Sequence, residues 1–154
     1  MHKDCGHKME PRGVVGVWKV ENVARQGGSE PIAGKPLPSI IVFTSSFYSM
    51  VWVFGAEAQR PFAKRWNPTD AEKIERFDSL VVNAGTYEID GNTLIAHPVV
   101  ARIPDFMGGK LICDYQIEKN TMMLKFVDEY SFDGVQAPWV KGGGLVLKLV
   151  RMGY

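Results

Sequence analysis

Apolar residues alternate with polar ones along most of this chain, at the period of two that half-buried strands show. Eight such runs stand out, at roughly 14–25, 39–45, 48–54, 85–90, 93–101, 110–118, 121–129 and 144–152. They are rich in Val, Ile, Phe, Tyr and Trp, and clusters of Gly, Pro and Asn break them. One stretch, about 70–83, follows a different period. There Ala71, Ile74, Phe77, Leu80, Val81 and Ala84 recur at helical spacing. Thr69 and Glu72 stand at capping-box spacing behind Pro68, and Gly85 supplies a stop. The other face carries Asp70, Glu72, Lys73, Glu75, Arg76 and Asp78, so the helix is expected to pack one-sidedly against the strands.

The turns fix which side chains share a face. A two-residue turn at Lys119-Asn120 sets Ile117 opposite Met122, Tyr115 opposite Leu124 and Cys113 opposite Phe126. The other face then carries Asp114, Gln116, Glu118, Lys125 and Glu129, so the apolar set must be the interior. A two-residue loop within Asp90-Gly91-Asn92-Thr93 puts Tyr87 and Ile89 on one face with Leu94 and Ala96. A turn at Ser45-Ser46 gathers Ile41, Phe43, Tyr48, Met50, Trp52 and Phe54. On the last strand Leu145, Leu147, Leu149 and Arg151 share a face, and on the first Trp18, Val20, Asn22 and Ala24 do.

Eight meandering strands with one helix between the third and fourth fit an all-β fold, an eight-stranded up-and-down antiparallel β-barrel. A sandwich or an α+β roll is the competing arrangement. Gly16-Val17-Trp18 on the first strand and Arg151 on the last suit a barrel whose base is sealed by an aromatic under a cation. With these residues placed, the chain resembles the lipocalin-like domain family, within the wider calycin group. The triplet matches the G-x-W signature, and Arg151 sits where such barrels place a basic residue over the tryptophan. Ile40 to Thr44 and Phe47 to Met50 resemble the second hairpin, and Gly85-Thr86-Tyr87-Glu88 resembles the strand after the helix. The likeness runs from about Gly13 to the end. It implies a hydrophobic-ligand barrel of the intracellular, microbial-type branch, since the helix lies between strands rather than after them. It implies no particular ligand or reaction.

Composition narrows the partners. The chain has 154 residues, expected as one domain over 13–154 behind a flexible tail at 1–12. Net charge is +1, which gives no electrostatic case for nucleic acid, and no apolar run is long enough to span a membrane. The N-terminal stretch lacks the apolar core of a secretory signal, so a cytoplasmic location is expected. A homodimer is left open. Cys5 and Cys113 read as free thiols, and His2, Cys5 and His7 in the tail make no metal site. No HExxH, CxxC, GxSxG or GxGxxG motif is present, and no cofactor is called for.

Candidate chemistry therefore lies in the interior. The expected ligand-binding set is Tyr48, Met50, Trp52, Phe54, Tyr87, Cys113, Tyr115, Leu124 and Phe126. Each could simply fill a core. Three phenols and an indole are together excessive for a dry one, because each buried polar tip needs a partner. A small hydrophobic ligand, aromatic or polyketide- or terpenoid-like, fits such a lining. The alternative is a cofactor-free isomerase, dehydratase or cyclase using the same cavity, with Tyr115, Tyr87, Asp128 or His97 moving protons. Asp128 falls on a face read as inward, at the rim unless it is buried beside Tyr115. His97 points outward if the Gly91-Asn92 turn has two residues, and inward if it has three. Loops at about 55–68, 102–109 and 130–143 are expected to frame the mouth, the last acting as a lid through Trp139 and Gly142-Gly143-Gly144.

Overall fold

A computed structural model describes residues 13–25, 38–54 and 60–153. The tail, with its Cys5 and His7, and the start of the 55–68 loop lie outside the described residues. The strands are β1 (Gly16–Arg25), β2 (Ser39–Phe43), β3 (Phe47–Val53), β4 (Leu80–Asp90), β5 (Thr93–Ala101), β6 (Lys110–Glu118), β7 (Thr121–Tyr130) and β8 (Leu145–Arg151). Each pairs antiparallel with its neighbours in sequence, and β8 returns to β1, so the sheet closes into a barrel without an open edge.

The turn chemistry sets the registers as expected. Lys119 and Gly91 both take positive φ, at 55° and 61°, and both hairpins close with two residues. Ile117 lies opposite Met122, Tyr115 opposite Leu124, and Cys113 opposite Phe126. Trp18, Ile41, Met122, Leu147 and Leu149 fill the lower barrel, all fully shielded from solvent.

The base is a sealed plug. The Arg151 guanidinium lies 4.2 Å from the centre of the Trp18 ring. Its Nη1 and Nη2 donate to the carbonyls of Val15 and Gly13 at 2.8 and 2.9 Å. The indole Nε1 of Trp18 donates to the Val14 carbonyl at 2.9 Å. Gly16 has φ of 143°, and a Cβ there would stand 2.6 Å from Arg151 Nη1. Only glycine lets the chain pass beneath the arginine.

Two features differ from expectation around α1 (Asp70–Ser79). Thr69 and Glu72 do form the capping box, but the helix ends at Ser79 rather than at 83. Leu80-Val81-Val82 instead begins β4, pairing with β3 through Leu80 opposite Val53 and Val81 opposite Trp52. The β-branched pair gains a sheet partner that a further helical turn would forfeit. Gly85 is accordingly no helix stop but a mid-strand residue, where a Cβ would lie 2.0 Å from the His97 carbonyl oxygen. Nor does α1 bury its apolar side: Ile74 is 62% exposed and Phe77 47%.

Three one-residue register shifts, at β1/β8, β4/β5 and β6/β7, re-aim the open end. In β1 the shift falls between Val20 and Asn22, so Asn22 pairs with Lys148 while Val23 pairs with Leu147 and turns inward. Asn22 and Ala24 thus leave the inner face expected of them, and Arg25 joins it opposite Leu145. In β5, Val99 is the extra residue and Ala101 becomes the inward neighbour of Asn83. In β7, Val127 is the extra residue: Cys113 pairs with Phe126, but Ile112 pairs with Asp128 and Leu111 with Glu129. The expected faces of Asp128 and Glu129 are exchanged. Such bulges keep the ladder going while changing which side chain meets the interior.

Candidate functional site

The barrel is tight at its base and opens above. β5 and β6 pair only from Thr93 to Ala96, and β7 and β8 only as far as Lys125 opposite Val146. Beyond those points the strands part, and the 102–109 and 130–143 segments fill the gaps. Each contains a 3₁₀ turn, at Pro104–Phe106 and Pro138–Gly142. Phe106 from the first and Trp139 from the second help to line a cavity of about 570 Å³.

The walls of this cavity come from nearly every strand. Met50 and Trp52 come from β3 and Phe54 from just beyond it, Val81 and Asn83 from β4, Leu111 from β6, Phe126 and Glu129 from β7, and Leu145 from β8. Trp52 and Phe54 meet edge-on, ring centres 5.9 Å apart, and Phe126 and Trp139 form a second pair at 6.3 Å. Arg25, Asp78, Asn83, Arg102 and Glu129 supply the polar part. A smaller hollow of about 380 Å³ shares Ile103, Phe106, Glu129, Ala137 and Pro138 with it and reaches out past Phe132.

Of the expected ligand-binding residues, Met50, Trp52, Phe54 and Phe126 line this space. Tyr48, Tyr87, Cys113, Tyr115 and Leu124 lie below it or at the base. The phenols there have partners within the protein. Tyr48 donates to Asn83 Oδ1 at 2.7 Å, Tyr87 to the Thr44 carbonyl, and Tyr115 to the Gly91 carbonyl at 3.1 Å. Their number therefore does not require a ligand. Burial raises the Tyr48 hydroxyl well above the usual tyrosine range and pushes Tyr87 up to about 12. Tyr115 is likewise raised by burial, and burial keeps the Cys113 thiol firmly protonated.

The expected proton-moving residues also stand elsewhere. His97 lies opposite Thr86 on the outer face, its Nε2 3.1 Å from Glu88 Oε1. Asp128, turned outward by the bulge, accepts from the Tyr130 hydroxyl at 2.7 Å and from Gln136 at 3.0 Å. Those bonds hold its carboxyl below the ordinary range, opposite to what a buried acid would show. Tyr115 sits at the base by the Gly91 turn.

Two carboxylates line the cavity, the exposed Asp78 and the half-buried Glu129. Glu129 is the one shifted by its surroundings. Desolvation raises its carboxyl above the ordinary value, while the Trp139 indole and the nearby Arg102 charge pull it partly back. Trp139 Nε1 donates to Oε2, so the loop is tied to the strand through the site. One signal for it was present in the sequence. Asp128 and Glu129 are adjacent, so whichever register β7 takes, one carboxylate points inward.

Among the described residues no helix is long and apolar enough to cross a membrane. Comparison with curated proteins and with solved structures yields no significant match. The model of the lipocalin-like domain family does match, over residues 15–139, which takes in the G-x-W strand, the α1–β4 junction and the strand that carries Glu129; the chain belongs to that family.

Proposed function

We propose that the upper cavity holds one small, largely apolar molecule with a flat aromatic, polyketide- or terpenoid-like skeleton. The observation that carries this is the pair of aromatic contacts, Trp52 with Phe54 and Phe126 with Trp139, lining a space of about 570 Å³. A hollow of that size suits a molecule of two to four fused rings, and rings between aromatic walls gain stacking beyond simple area burial. Two of the lining residues are tryptophans, so occupancy reports itself. Titration with N-phenyl-1-naphthylamine is expected to quench intrinsic fluorescence and saturate at one molecule per chain. Replacing Phe126 by Ala should weaken that binding about tenfold, as loss of one aromatic wall implies. Absence of saturable binding would refute the proposal.

A second reading has the same cavity turning over its ligand without a cofactor, as an isomerase, dehydratase or cyclase. Glu129 favours it: a carboxylate with a raised pKa, held by Trp139, is suited to accept and return a proton at a carbon beside a carbonyl. Tyr115, Asp128 and His97 are not among the residues that line the cavity. Protein isolated with its natural ligand separates the two readings. A carrier returns the ligand unchanged after incubation, whereas an enzyme converts it, and Glu129→Gln binds without converting.

A further inference from the structure

Among the described residues, only one with an amide, carboxylate or cationic head is buried: Asn83, at 5% exposure. An amide in a core is costly unless both its ends find partners. The carbonyl end has one, since Oδ1 accepts from the Tyr48 hydroxyl at 2.7 Å. Tyr48 is itself buried and has a single proton to place, which holds that end of the amide towards it. The Nδ2 end donates to nothing among the described residues, yet it is not shielded in the way that Trp52 Nε1 and Arg102 Nε are. Asn83 lines the upper cavity, and that is the space its open N–H groups face. Resting on the binding function proposed above, we propose that the ligand enters oxygen-first and that Asn83 Nδ2 receives a carbonyl oxygen at its leading end.

The strand pairing sets how deep this donor lies. Trp52 pairs with Val81, Met50 with Asn83 and Tyr48 with Gly85. Each inward step is two residues, about 7 Å. Met50 and Trp52 line the cavity and Tyr48 does not, so on this wall the space ends at the level of Asn83. An oxygen bound there is the buried end of the molecule, and its apolar body lies higher, beside Trp52 and Phe54. The neighbours choose among oxygens. Asn83 is flanked on the sheet by Met50 and Ala101. A hydroxyl would bring a proton that the Asn83 carbonyl, already engaged by Tyr48, is not placed to take. A carboxylate would bring a charge to one neutral donor between apolar flanks. A ketone, ester, lactone or quinone oxygen brings neither. The bond to Tyr48 also fixes the amide before binding, so little freedom is lost when an acceptor arrives.

Three probes of one shape test this: 2-acetylnaphthalene, 2-isopropenylnaphthalene, which has a methylene group in place of the oxygen, and 2-naphthoate. In calorimetric titration of the intact protein the ketone is expected to bind about fivefold tighter than the alkene, although the alkene is the more hydrophobic. The naphthoate should bind more weakly than the ketone. In nitrogen–proton NMR spectra the Asn83 side-chain amide signal should move downfield with the ketone and not with the alkene. Asn83→Leu combined with Tyr48→Phe removes both partners of the internal bond at once, which leaves neither stranded. That double variant should keep its affinity for the alkene and lose the preference for the ketone, whereas Tyr48→Phe alone should keep the preference. Equal affinity for ketone and alkene in the unaltered protein overturns the proposal, as does a preference that survives the double substitution or tighter binding of the naphthoate. Binding of no probe at all overturns the proposed function itself, which is a different result from binding without discrimination. Should the double variant fail to fold, the Asn83 amide signal of the unaltered protein decides: one that responds to ketone and alkene alike overturns the proposal.

Discussion

Replacing Trp18 by alanine removes the floor of the barrel, and the structure allows the cost to be worked out. The ring is fully buried among residues of the lower core. Deleting such an aromatic costs about 3–5 kcal/mol in lost transfer energy and cavity. Two further losses push this site to the upper end. The Val14 carbonyl, itself fully buried, loses the donor that satisfies it at 2.9 Å. The Arg151 cation loses the ring 4.2 Å away, a contact of about 0.5–2 kcal/mol. We expect about 5 kcal/mol by urea unfolding at 25 °C, and a fall in Tm of roughly 10–20 °C for a chain of this size. Arg151→Met retains an aliphatic cover but forfeits the cation and its bonds to Val15 and Gly13, so it should cost about 1–2 kcal/mol. The double variant should fall short of additivity by about 1 kcal/mol, because the two share one contact. A cost below about 1 kcal/mol for Trp18→Ala, or strict additivity, would show that the pair is not the seal.

Glu129→Gln has a sign fixed by the direction of its shift. Its carboxyl is raised above the ordinary 4.5 in the folded protein, so folding favours the protonated form and ionisation destabilises. That cost is absent below the unfolded value and fully present above the folded one. The variant should therefore melt higher than the parent at pH 7–8 and equal to it below about pH 4; an advantage that persists at low pH would place its origin elsewhere. Tyr48→Phe strands the Asn83 carbonyl oxygen and should cost about 1–3 kcal/mol in chemical unfolding. Because Tyr48 does not line the cavity, the affinity for N-phenyl-1-naphthylamine should stay within about twofold, and a larger loss would return the phenol to the site. Trp139→Ala opens the mouth and should release a bound probe about tenfold faster in stopped-flow displacement. No change in release would mean that the Pro138–Gly142 turn does not guard the entrance.

The barrel was legible because its signals are local. Each hairpin register follows from two or three turn residues, such as Lys119-Asn120, and from strict alternation beyond them. The base was legible for the same reason: Trp18 and Arg151 lie within a few residues of a strand end and of a turn. The mouth was not, because alternation carries a face assignment only as far as the next bulge. Val127 looks like any other strand valine, yet one extra residue there exchanged Asp128 for Glu129 on the inner face. A similar slip replaced Asn22 by Val23 and brought in Arg25. Near α1, Leu80 to Ala84 satisfies helical and strand periods alike, and only the pairing with β3 chose between them. Arg102 was missed because it belongs to a loop, where no period assigns a direction.

The adjacent carboxylates around the β7 bulge give the strand an unusual economy of change. Were Val127 to pair with Ile112, so that the ladder ran on without the bulge, Asp128, one methylene shorter, would fall opposite Leu111 on the inner face and Glu129 would turn to the solvent. Neither acidic residue need be substituted for the interior to acquire a different reach and a different neighbour. A strand built this way stores two versions of a pocket in one stretch of sequence, and the pairing register rather than a residue change selects between them.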